Sequence, residues 1–201
     1  ATYPSSLGRS TPSVVLAITA TGTSFIQTTK WTLEEKAKAL EQFQSPRHNR
    51  YNLTTNCGLY KYGDLTSYYQ HVDDNDGLWT SMHGMGEAYN YAITGNPAAR
   101  DLAWRAFEGV EMLSKVTGVY PKYVARTFCY YKVETQSGSG CGGSGDGDTQ
   151  WNVSSVYSDM KFKSDTSSDE TTGHFAIYPL IYDFVAKTSE EKQRVWTLLD
   201  G

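Results

Sequence analysis

The sequence contains two pairs of a histidine and a glutamate that stand four residues apart. His83 and Glu87 form the first pair, and Glu170 and His174 repeat the spacing in reverse order. Residues four apart share one face of an α-helix. If the two helices adjoin, the four groups are suited to binding a metal ion or to dividing acid and base roles. A structural role is the alternative for Glu170, which completes a capping box with Ser167.

An acidic cluster precedes the helix that carries the first pair. Residues 73–76 read Asp-Asp-Asn-Asp, and a glycine follows them. This run resembles part of a calcium-binding loop, so Asp74 and Asp76 are candidate Ca²⁺ ligands. Val72 and His83 stand where an EF-hand has acidic ligands, so the cluster is not an EF-hand. A simple helix-start turn is the alternative, and the sequence indicates no other cofactor.

Aromatic and basic side chains near these acids are suited to binding a sugar. The flat ring of Trp79 offers apolar area beside a polar edge, although a core role is the alternative for most aromatic residues. Arg126 sits among apolar neighbours and needs an acidic partner, either a structural carboxylate or one on a substrate. The predicted catalytic residues are Asp76, Glu87, Asp169, Glu170 and His174, and the predicted substrate-binding residues are Trp79, His83 and Arg126.

Several other function classes lack their sequence signatures. The chain has no Gly-x-Ser-x-Gly elbow, phosphate loop, His-Glu-x-x-His helix or dinucleotide fingerprint. Cysteine–histidine catalysis would have to use Cys57, whose sequence neighbours give no reason to expect activation. The formal net charge of −4 without a basic run argues against a nucleic-acid partner. No apolar stretch is long enough to cross a membrane.

Two kinds of feature are typical of a secreted, extracellular glycoprotein. The chain begins at Ala1 with neither a Met nor a signal sequence, as a processed secretory protein does. Two glycosylation sequons begin at Asn52 and Asn152 in polar, turn-rich stretches.

The three cysteines predict one disulfide and one external partner. Cys129 and Cys141 bracket a short Gly/Ser loop, which a disulfide between them would close. Cys57 is then left over, and an odd cysteine in a secreted chain predicts pairing with a second chain or a missing segment.

Helical periodicity dominates the chain from residue 31 onward, after an extended, Thr/Ser-rich segment over residues 1–30. Helices are predicted over residues 31–44, 78–93, 97–116, 167–187 and 192–199. Capping boxes of Thr32 with Glu35 and of Thr188 with Glu191 open the first and the last of them, and Pro46 is expected to end the first. In the second helix, Met82 and Tyr89 are among the apolar residues that recur at helical spacing. A connection of Gly95, Asn96 and Pro97 between two of them predicts an αα-hairpin. Residues 137–148 are rich in Gly and Ser, which predicts a loop. Because the last helix has nothing after it to pack against, the helical domain is expected to continue beyond residue 201. A terminal helix docked on earlier elements is the alternative.

Several long motifs occur together in the sequence, and they carry a family resemblance. They are residues 47–51 (RHNRY), 63–66 (GDLT), 74–82 (DNDGLWTSM), 91–97 (YAITGNP) and 165–170 (DTSSDE), with Gly173 and His174. Together they resemble a family of secreted, mostly bacterial proteins related to α/α-toroid carbohydrate-active proteins. The resemblance covers roughly residue 33 to the C-terminus. The sequence differs from the family pattern at Val72 and His83, where Asp and an aromatic residue are expected.

The resemblance implies a mainly α fold of paired antiparallel helix hairpins, part of an α/α toroid, whose loops bind carbohydrate. Two functions fit the residues. The first is glycan processing by a carboxylate pair in the toroid cleft, as a glycoside hydrolase, or as a lyase with a His or Tyr base. The second is a non-catalytic secreted glycoprotein with a binding, structural or storage role on the same scaffold. The departure at His83 is compatible with altered or lost activity.

Overall fold

The computed structural model describes residues 13–19, 22–28, 31–134, 141 and 150–201. The chain divides into two compact units, residues 1–43 and 44–201. The boundary between the units falls within a helix, and the predicted division at residue 30 stays a prediction.

The first unit contains a strand pair and most of a helix. Strands β1 (Ser13–Thr19) and β2 (Gly22–Thr28) are antiparallel, so the described part of the N-terminal segment is extended, as expected. Helix α1 (Leu33–Arg47) opens with the predicted capping box of Thr32 and Glu35. It continues through Pro46, so the predicted stop at this proline is wrong. A proline in the last turn removes a single N–H, and the helix ends one residue later.

The second unit combines helices with short antiparallel strands. Its elements after α1 are β3 (Asn49–Arg50), β4 (Leu53–Thr54), β5 (Asn56–Leu59), β6 (Tyr68–His71), α2 (Asp76–Thr94), α3 (Pro97–Lys115), β7 (Phe128–Tyr130), β8 (Trp151–Val153), β9 (Met160–Lys163), α4 (Ser168–Leu180), a π-helical turn (Ile181–Val185) and α5 (Ser189–Asp200). Strand β3 pairs with β4, β5 pairs with β6, and β9 lies between β7 and β8. The mainly helical fold is confirmed, with small sheets in addition.

The predicted ends of three helices are confirmed by their capping contacts. Gly95 has a left-handed conformation after α2, and its N–H donates to the Tyr91 carbonyl. The Asn96 side chain then accepts from Ala98 N at 3.0 Å, with Pro97 in the first turn of α3. Thr188 opens α5 with a complete capping box.

The main core lies where α2, α3, α4 and α5 pack together. Ala88, Phe107 and Ile177 are buried there, and α5 contributes Val195 and Leu198. Helix α5 is therefore docked on earlier elements of the chain, and continuation of the domain beyond residue 201 stays a prediction. A second apolar cluster, which includes Leu53, Leu113, Val116, Phe128 and Met160, lies between α3 and the small sheets.

The buried face of α2 is not the one that its large apolar residues predict. Met82 and Tyr89 are about half exposed, whereas Gly84 is buried. A Cβ on Gly84 would stand 2.6 Å from Ile177 Cδ1 and 2.7 Å from Ala106 Cβ. Because real Cβ atoms do not approach so closely, the glycine allows α2 to lie directly against α3 and α4.

Candidate functional site

Asp76 is the first residue of α2, and its side chain is completely buried. Its Oδ2 accepts from Thr127 Oγ1 at 2.6 Å and lies 3.2 Å from Arg50 Nη2, while Oδ1 accepts from Thr55 Oγ1 at 2.8 Å. Burial raises the pKa of Asp76, and the guanidinium of Arg50 is the main influence that opposes the rise. Three donors from three different segments therefore hold this carboxyl group in one orientation.

Arg50 connects Asp76 to a second carboxylate. Its Nη1 donates to Glu134 at 3.1 Å, and its Nη2 donates to the carbonyl of Phe128 at 2.7 Å. The guanidinium is only 4% exposed, so its charge is balanced within the protein by two acidic side chains. Neither Arg50 nor Glu134 was predicted as a site residue. The only signal was the RHNRY motif, which contains Arg50.

Glu170 is also completely buried, and it reaches across to α2. Its Oε2 accepts from the backbone N–H of Leu78 at 2.9 Å, which satisfies one donor of the first turn of α2. Burial raises the pKa of Glu170 to about 8, so this carboxyl group is mostly protonated at neutral pH. The predicted capping box is wrong, because the Ser167 hydroxyl instead bonds to the Asp169 carboxylate.

His174 lies one turn after Glu170 and is buried as well. Its Nδ1 is 2.7 Å from the hydroxyl of Tyr178, and burial lowers the pKa of His174 to about 4. Glu170 Oε1 and His174 Nε2 have no hydrogen-bond partner among the described residues. Both side chains approach Gly77, since Glu170 Oε2 and His174 Nε2 lie within 4 Å of the position where a Cβ would stand. Gly77 thus provides the space in which the two groups meet α2.

The two predicted His/Glu pairs do not converge. His83 and Glu87 are half-buried, and Glu87 accepts from Asn90 Nδ2 at 3.0 Å. Among the described residues, no group of three metal-ligating atoms within 4.8 Å of one another combines His83 or Glu87 with Glu170 or His174. Asp169, the remaining predicted catalytic residue, is exposed at the start of α4.

The predicted calcium ligands have separate cationic partners. The Asp74 carboxylate accepts from Lys163 Nζ at 2.8 Å, whereas the Asp76 carboxylate faces Arg50. The calcium site stays a prediction.

Arg126 and Trp79 lie near the same end of α2. The Arg126 guanidinium donates to the carbonyls of Asp74 at 2.5 Å and Asp165 at 3.1 Å, and the Asp165 carboxylate is 3.8 Å away. The acidic partner of Arg126 is therefore structural. Trp79 is 40% exposed.

A cleft rich in tyrosine opens on the second unit, and we call it the tyrosine cleft. Its volume is about 510 Å³, and its lining residues are Asn49, Arg50, Tyr51, Tyr60, Tyr68, Tyr69, Gln70, Val133 and Glu134. The rings of Tyr60 and Tyr69 lie 4.8 Å apart. None of the predicted catalytic or substrate-binding residues lines this cleft. In the sequence, the feature that points to this cleft is the Tyr-rich composition of residues 47–70.

The predicted disulfide between Cys129 and Cys141 is confirmed. Most of the Gly-rich loop that it closes lies outside the described residues. Asn52 stands in the turn between β3 and β4 with a φ of 67°, and Asn152 is exposed on β8. Glycosylation at these two residues stays a prediction.

In the described part of the chain, no helix has the length and apolar character needed to span a membrane. Comparison of the chain with protein-family models, with curated proteins and with solved structures finds no match in any of the three. The resemblance to toroid carbohydrate-active proteins therefore stays a prediction, and the function is inferred from geometry.

Proposed function

We propose that this chain is a secreted glycan-binding protein whose tyrosine cleft holds a saccharide. The observation that carries the proposal is the combination of four tyrosine rings with charged and amide side chains in one cleft. Flat rings pack against the apolar faces of sugars, while polar side chains bond to the hydroxyl groups at the edges. The volume of about 510 Å³ lies within the range of small-molecule sites.

The polar side chains of the tyrosine cleft are held in place by the fold. Gln70 Nε2 donates to the carbonyls of Arg47 and Asn49 at 3.0 and 2.7 Å. Arg50 is fixed by the contacts to Asp76 and Glu134 described above. A site with fixed polar groups loses little conformational entropy when it binds, which favours recognition of a ligand with many hydroxyl groups.

The exposed rings supply the apolar part of the proposed binding energy. Tyr51 is 46% exposed and Tyr60 is 62% exposed, so a ligand that covers them removes apolar area from water. Each 100 Å² of such area contributes about 2.5 kcal/mol before the entropy cost of binding is subtracted.

The test is a calorimetric titration of the protein with soluble gluco-, manno- and chito-oligosaccharides. Tyr60→Ala is expected to weaken binding by about tenfold, because it removes one stacking ring. Tyr62→Ala is the matched control, since Tyr62 is fully exposed in the same loop and does not line the cleft. Equal affinities of the two variants, or no binding of any saccharide, would contradict the proposal.

Glycan hydrolysis is the second candidate, and one observation favours it. Glu170 has a pKa of about 8, and a carboxyl group that stays protonated at neutral pH is what a general acid requires. Glu170 and Asp76 are both closed to solvent, however, so a substrate reaches them only if the elements that cover them move. Binding without catalysis is therefore preferred.

Hydrolysis has its own test, which is the release of reducing ends from the oligosaccharide that binds best. Glu170→Gln is expected to abolish the release without weakening binding, and Glu87→Gln serves as a control at a carboxylate that is only half-buried. If Glu170→Gln releases reducing ends at the wild-type rate, this carboxyl group does not take part in hydrolysis.

We propose two further properties on the same footing. The helices form paired antiparallel hairpins of an α/α toroid, which is supported by the two-residue connection between α2 and α3 and by their common core. Secretion is supported by the Cys129–Cys141 disulfide, because such bonds persist mainly in oxidising compartments.

A further inference from the structure

We propose that Cys57 and His48 form a reactive thiol site that undergoes exchange with a small-molecule disulfide. The site is distinct from the proposed saccharide contacts. Cys57 is the cysteine without a disulfide partner, and its Sγ lies 3.5 Å from His48 Nε2. That separation is within hydrogen-bond reach of a sulfur atom. The sequence neighbours of Cys57 give no sign of this contact, since the two residues meet only through the fold of the strands.

The fold determines which nitrogen of His48 faces the thiol as a base. His48 Nδ1 is 2.9 Å from the carbonyl oxygen of Thr55. A carbonyl oxygen can only accept, so Nδ1 carries the proton in this contact. In the neutral ring, Nε2 then has the lone pair, and it accepts the S–H of Cys57.

The orientation of His48 is secured by the backbone as well as by the ring. Thr55 N donates to the His48 carbonyl at 2.7 Å, next to the β3–β4 pair that begins at Asn49. His48 and Thr55 are therefore joined by two hydrogen bonds, one from each residue. A nucleophile, a base and a group that orients the base are the parts of an activated nucleophile. Here they are Cys57 Sγ, His48 Nε2 and the Thr55 carbonyl.

The exchange needs no reactant other than the Cys57 thiol and the disulfide. His48 Nε2 removes the proton of Cys57 Sγ, and the thiolate attacks one sulfur of the disulfide. A new S–S bond forms to Cys57, the original S–S bond breaks, and the leaving thiolate takes the proton from His48. One disulfide and one thiol react, and one mixed disulfide and one thiol result.

The surroundings of Cys57 favour a small disulfide over a protein partner. Cys57 and His48 are both half-buried, which limits the approach of a bulky molecule. Gln70, the strand partner of Cys57, and Asn49, the neighbour of His48, both line the tyrosine cleft. A small molecule can therefore approach the thiol site from a part of the surface that is already concave.

The experiment measures the rate of mixed-disulfide formation with oxidised glutathione at pH 7 by intact mass spectrometry. One adduct is expected per chain, and none in Cys57→Ser. His48→Gln is expected to slow the reaction by at least about tenfold. His71→Gln is the matched control, because His71 is half-buried on the neighbouring strand β6 and is expected to leave the rate unchanged.

A second comparison keeps the proposal testable if His48→Gln does not fold. In the urea-unfolded chain the thiol has no histidine held beside it, so the native protein is expected to react at least about tenfold faster than the unfolded one. An equal or slower native rate overturns the proposal. So does a rate in folded His48→Gln that equals that of the wild-type protein.

Discussion

Replacing Glu170 by Gln is expected to stabilise the protein at neutral pH. The pKa of Glu170 is raised by burial from 4.5 to about 8 in the folded state. Between these pH values the unfolded chain has lost a proton that the folded chain still holds, so stability falls as the pH rises. The loss is about 1.4 kcal/mol per pH unit, which makes about 3 kcal/mol at pH 7. The Gln side chain keeps an oxygen that can accept the hydrogen bond from Leu78 N, and the side chain does not ionise.

The assay is urea unfolding of the wild-type protein and of Glu170→Gln at pH 4.5, 6, 7 and 8.5, with tryptophan fluorescence as the readout. The pH dependence of wild-type stability does not isolate Glu170 by itself, because His174 contributes to that dependence with the opposite sign. Its pKa is lowered to about 4 in the folded state, so its contribution to stability is present above the unfolded pKa and is lost as the pH falls toward 4. Subtracting the wild-type free energy from that of the variant isolates Glu170.

The difference in the free energy of unfolding is expected to grow by about 3 kcal/mol between pH 4.5 and 7 and to level off above pH 8. Asp169→Asn is the control, since Asp169 is the exposed neighbour of Glu170 and has a lowered pKa caused mainly by the Ser167 hydroxyl. It is not expected to gain stability as the pH rises. A Glu170→Gln difference that is the same at pH 4.5 and pH 8.5 would refute the reasoning.

Gly77→Ala and Arg50→Ala test the contacts around the start of α2, and Gly86→Ala is the control for the first of them. Gly77→Ala places a Cβ against the Glu170 carboxylate and 3.0 Å from Leu113 Cδ1, so thermal unfolding should show a loss of about 1–3 kcal/mol. Gly86→Ala, in open space on the same helix, should instead gain up to about 1 kcal/mol, and equal effects of the two changes would contradict the packing described. Arg50→Ala leaves the buried Asp76 without its cation, so urea unfolding should show a loss of about 3–5 kcal/mol. A loss below about 1 kcal/mol would show that the ion pair is not needed.

The helix ends could be predicted because their signals are local. Gly95, Asn96 and Pro97 act through backbone groups within four residues of themselves, and the capping boxes of Thr32 and Thr188 involve residues only three positions away. Such contacts depend little on the rest of the chain. The Ser167–Glu170 box is the exception, because Glu170 accepts from Leu78 N on another helix instead. The disulfide could be predicted for a similar reason, since only twelve positions separate its cysteines.

The buried face of α2 could not be predicted in the same way. Its periodicity pointed to Met82 and Tyr89, but the neighbouring helices contact the small residues around Gly84. Periodicity describes one helix, whereas the choice of buried face depends on the shape of the helices that pack against it.

In the candidate sites, too, the sequence indicates individual residues, whereas their contacts depend on the tertiary structure. The sequence alone indicates the residue types, since its spacing and acidic cluster point to Asp76, Glu170 and His174. Their environments depend on contacts across long separations, such as Arg50 with Asp76 or Leu78 with Glu170. The tyrosine cleft and the contact between Cys57 and His48 also arise from strand pairing. Burial, pKa and ligand access are properties of these assembled surroundings, because the free energy of a charge or a ring depends on what replaces the water around it.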